Sequence, residues 1–552
     1  MSSQPNAPVA GAMRDVISFD RLPWIRPLVA AHAAHFASVA SFFTGNPADS
    51  AAWGDVIGRV QRAHTDHTAI HDIVSAQLAR RQAPAAAVTA ASALADPRAV
   101  AVVTGQQAGL FGGPLYTLLK ALTTIQLARK VRDEHGVPTV PVFWVDGEDH
   151  DFAEIRSAAV LDRDYALHEV SLPEPIGAGT LPVAALSLDQ DITTVLDALE
   201  QCLAPTEFTS VVVDSLRRHY RPGVSISGAF AGWIEEVLGG EGLVVFEAAD
   251  PRAKPLVASL FTREFTHPCQ TALSARATGA EMAAHGHAAQ IEPGEDVVCV
   301  FYMDATGRRP IRHRDGRFLI ADEFRDAASL AAEATAHPER FSPNVLLRPL
   351  VQDTLFPTAC YVAGPSELAY QAQLRDAYRA SGLPQPLLAS RASATILDSA
   401  AAKFLDRHAL PLEALQPQDE SALNRLLAAQ LPAELDELFA QLDAAVTDGT
   451  ARLKPVVATV DPTLAGAVDT TLERVRDTVK NLQGKILQAS KKKDETLKRQ
   501  FMRTRALAFP AGHPQERLLS IAFFLNRYGP ALPLRLIDTL PSLPTAHYVI
   551  TP

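Results

Sequence analysis

Cysteine is scarce in this 552-residue chain: Cys202, Cys269, Cys299 and Cys360 are the only four, and no two have C-x-x-C spacing. That argues against a disulfide framework and against a cysteine-rich zinc site, and predicts reduced, mostly buried thiols. No run of about 18 apolar residues occurs, so no membrane-spanning helix is expected. The opening segment MSSQPNAPVAGAMRD lacks the basic-then-apolar layout of a signal peptide, and a cytoplasmic protein is expected. Positive charge is also short. Lys and Arg number 51 against 62 Asp and Glu, for a net charge of −11. A nucleic-acid partner is therefore not expected, because neutralising phosphates needs a basic face. A local basic pocket for an anionic small molecule is compatible with that balance. Gly 30 and Pro 39 are ordinary and exclude collagen or bulk disorder, while 47% hydrophobic and 20% charged residues describe a soluble globular chain. At about 150 residues per domain, three or four structural units are expected.

Residues 1–18 read as a mobile lead-in, and 19–95 as mainly helical. Ala99–Val103 is a short continuous apolar run, the pattern of a buried parallel strand. A Gly-rich turn (Gly105–Pro114) and a helix from Leu115 to about His135 follow, then a second buried strand, Val140–Val145. This strand–turn–helix–strand order predicts a parallel α/β sheet. Leu243–Glu247 and Ala359–Ala363 read as further strands, and 290–320 as a small β-rich insertion. Domain bounds are set at 19–395 for the core, 396–505 for a helical domain and 506–552 for a return to the core. Leu472, Val475, Val479, Leu482 and Ile486 follow a 3-4-3-4 spacing, a coiled-coil seam. Leu431–Val446 is its expected antiparallel partner, with Pro455 and Pro462 between the arms.

Five groups carry possible chemistry. In the turn, Gly105, Gln106, Gln107, Gly109, Gly112 and Gly113 precede a helix N-terminus, which favours anions, although the spacing matches no standard nucleotide loop. The alternative is a tight strand-to-helix turn. Gly147-Glu148-Asp149-His150-Asp151 follows a buried strand and so lies at the carboxyl edge of the sheet, where α/β ligands bind. Three carboxylates around one imidazole point to a bound cation, an ammonium or a shared proton; the plainer reading makes Asp151 a helix N-cap. The third group runs from Asn344 through Arg348, Gln352, Asp353, Tyr361, Gly364 and Glu367 to Tyr370. Arg348 sits among apolar residues and needs an anionic partner, either a ligand or Asp353. The fourth is Asn526-Arg527-Tyr528 before Gly529, either a helix end or a polar return to the pocket. His64, His67 and His71 share one expected helix face but read as surface histidines, and no metal site is expected. Lys491-Lys492-Lys493 reads as a solvated coiled-coil face.

Four segments, in order, resemble one known family: VVTGQQAGLFGGPLYTLLKA (102–121), PVFWVDGEDHDFAEI (141–155), NVLLRPLVQDTLFPTACYVAGPSELAYQAQL (344–374) and QERLLSIAFFLNRYGP (515–530). They resemble the bacillithiol-biosynthesis cysteine-adding enzymes, the BshC-type cysteine ligases, over about 19–550. The resemblance implies a Rossmann-like, nucleotidyltransferase-like core related to class I aminoacyl-tRNA synthetases, and a helical coiled-coil domain that forms a homodimer. It implies the addition of cysteine to the amine of glucosaminyl-malate, with ATP and Mg²⁺ activating the carboxylate. The match is loose at Gly286–Gln290, and regions 156–240 and 305–340 are not diagnostic.

Roles follow from the chemistry that such a reaction needs. The Gly105–Gly113 loop suits an anion, helped by Lys120 if it faces the pocket; Glu148 or Asp149 suits an ammonium; Arg348 suits a carboxylate or phosphate; His150 is the expected base. Two alternatives stand beside this reading: an amino-acid-activating or nucleotidyl-transferring enzyme with another acceptor, and a non-catalytic dimeric binding scaffold.

Overall fold

The computed structural model describes residues 12–64, 66–493 and 495–552. These divide into two compact units, one running to Leu397 and resuming at Pro514, the other spanning Asp398–His513.

The first unit opens with strand β1 (Ala12–Ser18), followed by helices α1 (Ser50–Ala63) and α2 (His67–Arg81). The expected strand–turn–helix–strand unit is β2 (Val100–Gln106), α3 (Leu115–His135) and β3 (Thr139–Val145). Next come the short helix α4 (Phe152–Ile155), the hairpin β4 (Ser157–Leu161) and β5 (Leu167–Ser171), helix α5 (Ile226–Leu238), strand β6 (Val244–Glu247) and helix α6 (Lys254–Thr266). An antiparallel insertion follows: β7 (Val297–Asp304), β8 (Gly307–Arg314), β9 (Arg317–Ile320) and β10 (Glu323–Arg325), with β11 (Phe341–Pro343) pairing back onto β7. Helix α7 (Arg348–Leu355), strand β12 (Thr358–Ala363), helix α8 (Pro365–Ala372), strand β13 (Leu387–Ser390) and strand β14 (Ser393–Ile396) complete this stretch.

The main sheet has the order β13-β12-β2-β3-β6, and every pairing in it is parallel. Both of its faces are covered, which is why β2, β3 and β12 read as unbroken apolar runs rather than as alternating ones. Trp53, Val56, Ile57 and Val60 of α1 and Leu127, Ala128 and Val131 of α3 pack with Val100, Val102, Cys360 and Val362 of the sheet. Strand order runs outward from β2 through β3 to β6, then returns to the other side of β2 at β12. That reversal is the switch point beside which open α/β sheets hold their ligands.

A separate three-stranded sheet has the order β1-β15-β14, with β15 (Ala546–Thr551) in the middle. This corrects the expectation of a lead-in over 1–18. Ala12–Ser18 pairs antiparallel with β15 and buries Ile17, so those residues are structured, while residues 1–11 lie outside the described residues. The strand escaped notice because only its Val16-Ile17 pair is strongly apolar.

In the second unit, α9 (Ala433–Val460) and α10 (Leu464–Lys493) form a helical hairpin. Lys454–Asp469 and Arg476–Asp443 ion pairs tie its arms antiparallel. Pro462 lies in the connection, but Pro455 lies inside α9, so the first arm is longer than the sequence suggested. Leu472, Val475, Val479 and Ile486 are half-buried, while Leu482 is exposed. Lys491–Lys493 close α10, but the reading of a solvated face there concerns their side chains, which lie outside what the structure describes. Among the described residues, no helix is long and apolar enough to cross a membrane.

Candidate functional site

At the carboxyl ends of β2, β3 and β12 opens a cavity of about 600 Å³. Gly105, Gln106 and Gln107 bring β2 to it; Trp144, Asp146, Asp149 and His150 come from β3 and its loop; Tyr361 and Gly364 come from β12. The loop after β3 is fixed at several points. Asp146 N–H donates to Gln106 O at 3.0 Å, and Val183 and Ala184 N–H groups donate to Asp149 O and Gly147 O.

One wall is acidic. Gln107 Nε2 donates to Asp149 Oδ2 (3.1 Å) and Glu154 Oε2 (2.7 Å), holding two carboxylates side by side. Burial, then Asp151, raises the Glu154 carboxyl above its ordinary range. Asp146 stands between the walls. Its nearest cation is Arg348, with Nε 3.9 Å from Oδ2. Burial is the main cause that pushes its carboxyl up to about 6, against the opposing pull of Arg348. His150 Nδ1 lies 3.5 Å from Asp149 Oδ1 and 3.4 Å from Arg308 Nη1. Arg308 comes from the insertion strand β8, stacks 4.0 Å over the Phe301 ring and donates to Pro343 O at 2.6 Å.

The other wall is basic, but most of its cations are already engaged. Lys120 Nζ, buried on α3, donates to Gly105 O (2.7 Å) and Gln106 Oε1 (2.8 Å) and pairs with Glu367 at 2.5 Å. Burial pushes the Glu367 carboxyl up, yet Lys120 and the Gly364 N–H together hold it below its ordinary range. Lys120 therefore clamps the start of α8 to the end of β2. Arg348 Nη2 donates to Tyr370 OH (2.7 Å) and Nη1 to Gln352 Oε1 (3.2 Å). Arg391 makes a bidentate pair with Glu516 at 2.8 and 3.0 Å. Arg517 is different: it lines the cavity, is exposed, and forms no side-chain hydrogen bond or ion pair within the chain among the described residues, only a longer-range interaction with Tyr116. Asn344 also lines the cavity, and its Oδ1 accepts from the Leu346 and Leu347 N–H groups to fix the turn into α7.

Several expected site residues lie elsewhere. Glu148 is buried in an ion pair with Lys254 of α6, and Lys254 also donates to Phe341 O (3.0 Å), so this carboxylate is turned away from the cavity. Asp151 caps α4, accepting from Glu154 N–H at 3.1 Å. Gly109, Gly112 and Gly113 form a packing turn rather than an anion cradle. Their N–H groups serve Gln107 O, Gly109 O and Leu110 O, and a Cβ on Gly112 would lie 2.3 Å from the Trp233 ring of α5. Gln352 stands behind Arg348, and Asp353 accepts from Tyr378 OH (2.5 Å) instead of pairing with Arg348. Asn526, Arg527 and Tyr528 end the helix α11 (Ile521–Tyr528) outside the cavity lining. Asn526 donates to Ala204 O, and Arg527 contacts Tyr165. His64 ends α1 while His67 starts α2, so the histidines do not share one helix.

Sequence reasoning missed Asp146, Glu154, Tyr116, Phe301, Arg308, Arg391 and Arg517. Arg391 carried a usable signal, one charge between two apolar strands, as at Arg348. Arg308 carried none, since it lies 158 positions from His150 in sequence.

Residues 15–392 match the family model described as Bacillithiol biosynthesis BshC, N-terminal Rossmann-like domain, and residues 394–552 match Bacillithiol biosynthesis BshC, C-terminal coiled-coil domain. Among similar proteins, one from Salinibacter ruber is 35% identical over 463 residues, covering 83% of this chain and 84% of that protein. One from Chlorobaculum tepidum is 32% identical over 476 residues (83% and 84%), and one from Koribacter versatilis is 33% identical over 443 residues (80% and 81%). All three bear the name "Putative cysteine ligase BshC".

Proposed function

The chain belongs to the BshC family of bacillithiol biosynthesis, and on that premise we propose that it is a ligase joining the carboxyl group of cysteine to the amine of glucosaminyl-malate, with ATP activating the carboxylate. One observation carries this reading: one cavity at the switch point sets Asp149 and Glu154 on one wall against an uncommitted guanidinium, Arg517, on the other, with Asp146 between them. The acidic side suits an ammonium or an attacking amine, and the basic side suits a substrate carboxylate or phosphate. Asp146, with its carboxyl near 6, is poised to take the proton that the amine must lose as it attacks. Arg348, held by Tyr370 OH, stands 3.9 Å from the Asp146 carboxylate.

A free carboxylate does not acylate an amine in water, which is why activation belongs to the proposal. Arg517 fits a phosphate as well as a carboxylate. Among the described residues, no group of three or more His, Cys, Asp or Glu gathers to hold a metal, and no step is assigned to Mg²⁺. The test is product formation from glucosaminyl-malate, cysteine, ATP and Mg²⁺, followed by mass spectrometry with and without ATP. ATP-dependent bacillithiol supports the ligase; substrates that neither react nor bind overturn it. Arg517→Ala should remove a charge-assisted contact worth about 1.5–3 kcal/mol. This would read as a KM for glucosaminyl-malate or ATP raised roughly ten- to a hundredfold with kcat retained; an unchanged KM for both places substrate elsewhere.

The same reading includes a homodimer, but through a surface other than the one the heptads named. Leu472, Val475 and Val479 are half-buried within the hairpin. Leu438, Leu442, Leu453, Val456 and Val460 are exposed by 58, 42, 50, 60 and 79%, and at 3.6 residues per turn they fall within about 60° of one face of α9. Replacing Leu438, Leu442 and Val456 by Glu should yield monomers in sedimentation velocity. A dimer that survives the triple change is held by another surface.

A further inference from the structure

His150 and Arg308 meet at one atom. Arg308 Nη1 lies 3.4 Å from His150 Nδ1, and a guanidinium has donors only. Where that hydrogen bond forms, Nδ1 of the neutral ring must be the acceptor, and the ring proton then sits on Nε2. Arg308 is well placed to impose this. Its side chain is only 8% exposed, it stacks on Phe301, and Nη2 is anchored on Pro343 O. Its Nε is buried without a partner, so the guanidinium is held by its terminal nitrogens alone. The competing acceptor for a proton on Nδ1 is Asp149 Oδ1 at 3.5 Å, but that oxygen already accepts the His150 backbone N–H at 2.8 Å and pairs with the same Arg308 Nη1 at 3.5 Å. His150 Nε2 has no partner within the chain among the described residues, and the ring lines the cavity.

We propose that Arg308 is a positioning residue that holds neutral His150 as its Nε2–H tautomer, so that His150 donates a hydrogen bond to an anionic oxygen of the substrate rather than accepting a proton as base. This rests on the ligase reading for the identity of that oxygen. When the amine lone pair forms the C–N bond, the carbonyl π pair moves onto the acyl oxygen, where a fixed N–H donor stabilises the oxyanion. When that pair returns to re-form C=O, the C–O bond to the activating phosphoryl group breaks, and phosphate or AMP leaves with its electrons. The proton of the amine goes to Asp146, which leaves His150 no base role to fill.

The test is the ¹⁵N spectrum of ring-labelled full-length protein, with the His150 resonances assigned by their loss in His150→Gln. The neutral ring should show a protonated Nε2 and a bare Nδ1, and Arg308→Met should move it toward the Nδ1–H form facing Asp149. An Nδ1–H ring in the native protein overturns the proposal, and so does a tautomer indifferent to Arg308→Met in a variant whose circular dichroism is native. The kinetic arm separates donor from base. A glutamine retains an N–H donor, so His150→Gln should keep at least tenfold more kcat than His150→Ala, whereas equal losses favour a base. The spectrum needs no turnover, so an inactive protein with the Nε2–H ring would sink the ligase reading and leave the tautomer assignment standing.

Discussion

Asp146→Asn is expected to lower kcat/KM by about 10²–10⁴, the range that removal of a general base produces. The substitution keeps shape and hydrogen-bonding capacity but removes the group proposed to take the proton. Its signature is in the pH profile. Burial raises the Asp146 carboxyl to about 6. The carboxylate form dominates above that value, and activity that depends on it falls as pH drops through about 6. The native enzyme should therefore show an acid limb centred near 6, and Asp146→Asn should lack it. If the limb persists in the variant, the titrating group is another one. Asp149→Asn provides the contrast: Asp149 is engaged by Gln107 and by the His150 backbone, so its loss should disturb the loop without removing the limb.

The second large effect concerns stability. Glu148 and Lys254 form an ion pair whose side chains are 10% and 7% exposed. Lys254→Met leaves a buried carboxylate without its counter-ion, and breaking a buried pair on one side costs about 3–5 kcal/mol. For a marginally stable protein that is a large share of the total. Chemical denaturation should show it directly. Converting both partners, Glu148→Leu with Lys254→Met, removes the uncompensated charge and should recover most of the loss. A double variant no more stable than Lys254→Met would show that Lys254 matters through its bond to Phe341 O instead.

That result would also explain one misplacement. Glu148 and Asp149 are neighbours in a loop, and composition cannot say which carboxylate faces the ligand. The choice is made by Lys254, more than 100 positions away on α6. Asp146, the carboxylate nearest Arg348, was hidden as the polar end of an apolar run. By contrast, β2, β3 and β12 were legible because a parallel sheet covered on both faces writes itself as continuous Val, Ala and Phe. The length of α3 was legible because Gly136 ends it in a left-handed turn at φ +63°. The turn glycines divide in use: Gly105 lines the cavity, whereas φ +86° at Gly112 meets a backbone requirement and clears space for Trp233. Arg308, Arg391 and Arg517 reach the cavity from an insertion, a strand end and the C-terminal segment. Only tertiary folding brings them together.

The sheet β1-β15-β14 sets an order of events on the ribosome. Its central strand, Ala546–Thr551, is translated after everything that flanks it, so β1 and β14 wait as unpaired edges while Asp398–His513 is being made. Glu516, which locks Arg391, and Arg517 itself emerge only slightly earlier. A nascent chain stalled before Pro514 would have the parallel sheet but neither its finished rim nor its last guanidinium. Competence for ligand should thus arrive abruptly, once the stretch from Glu516 to Thr551 has emerged, and a ribosome paused before it would hold a polypeptide that is largely folded and still unable to bind.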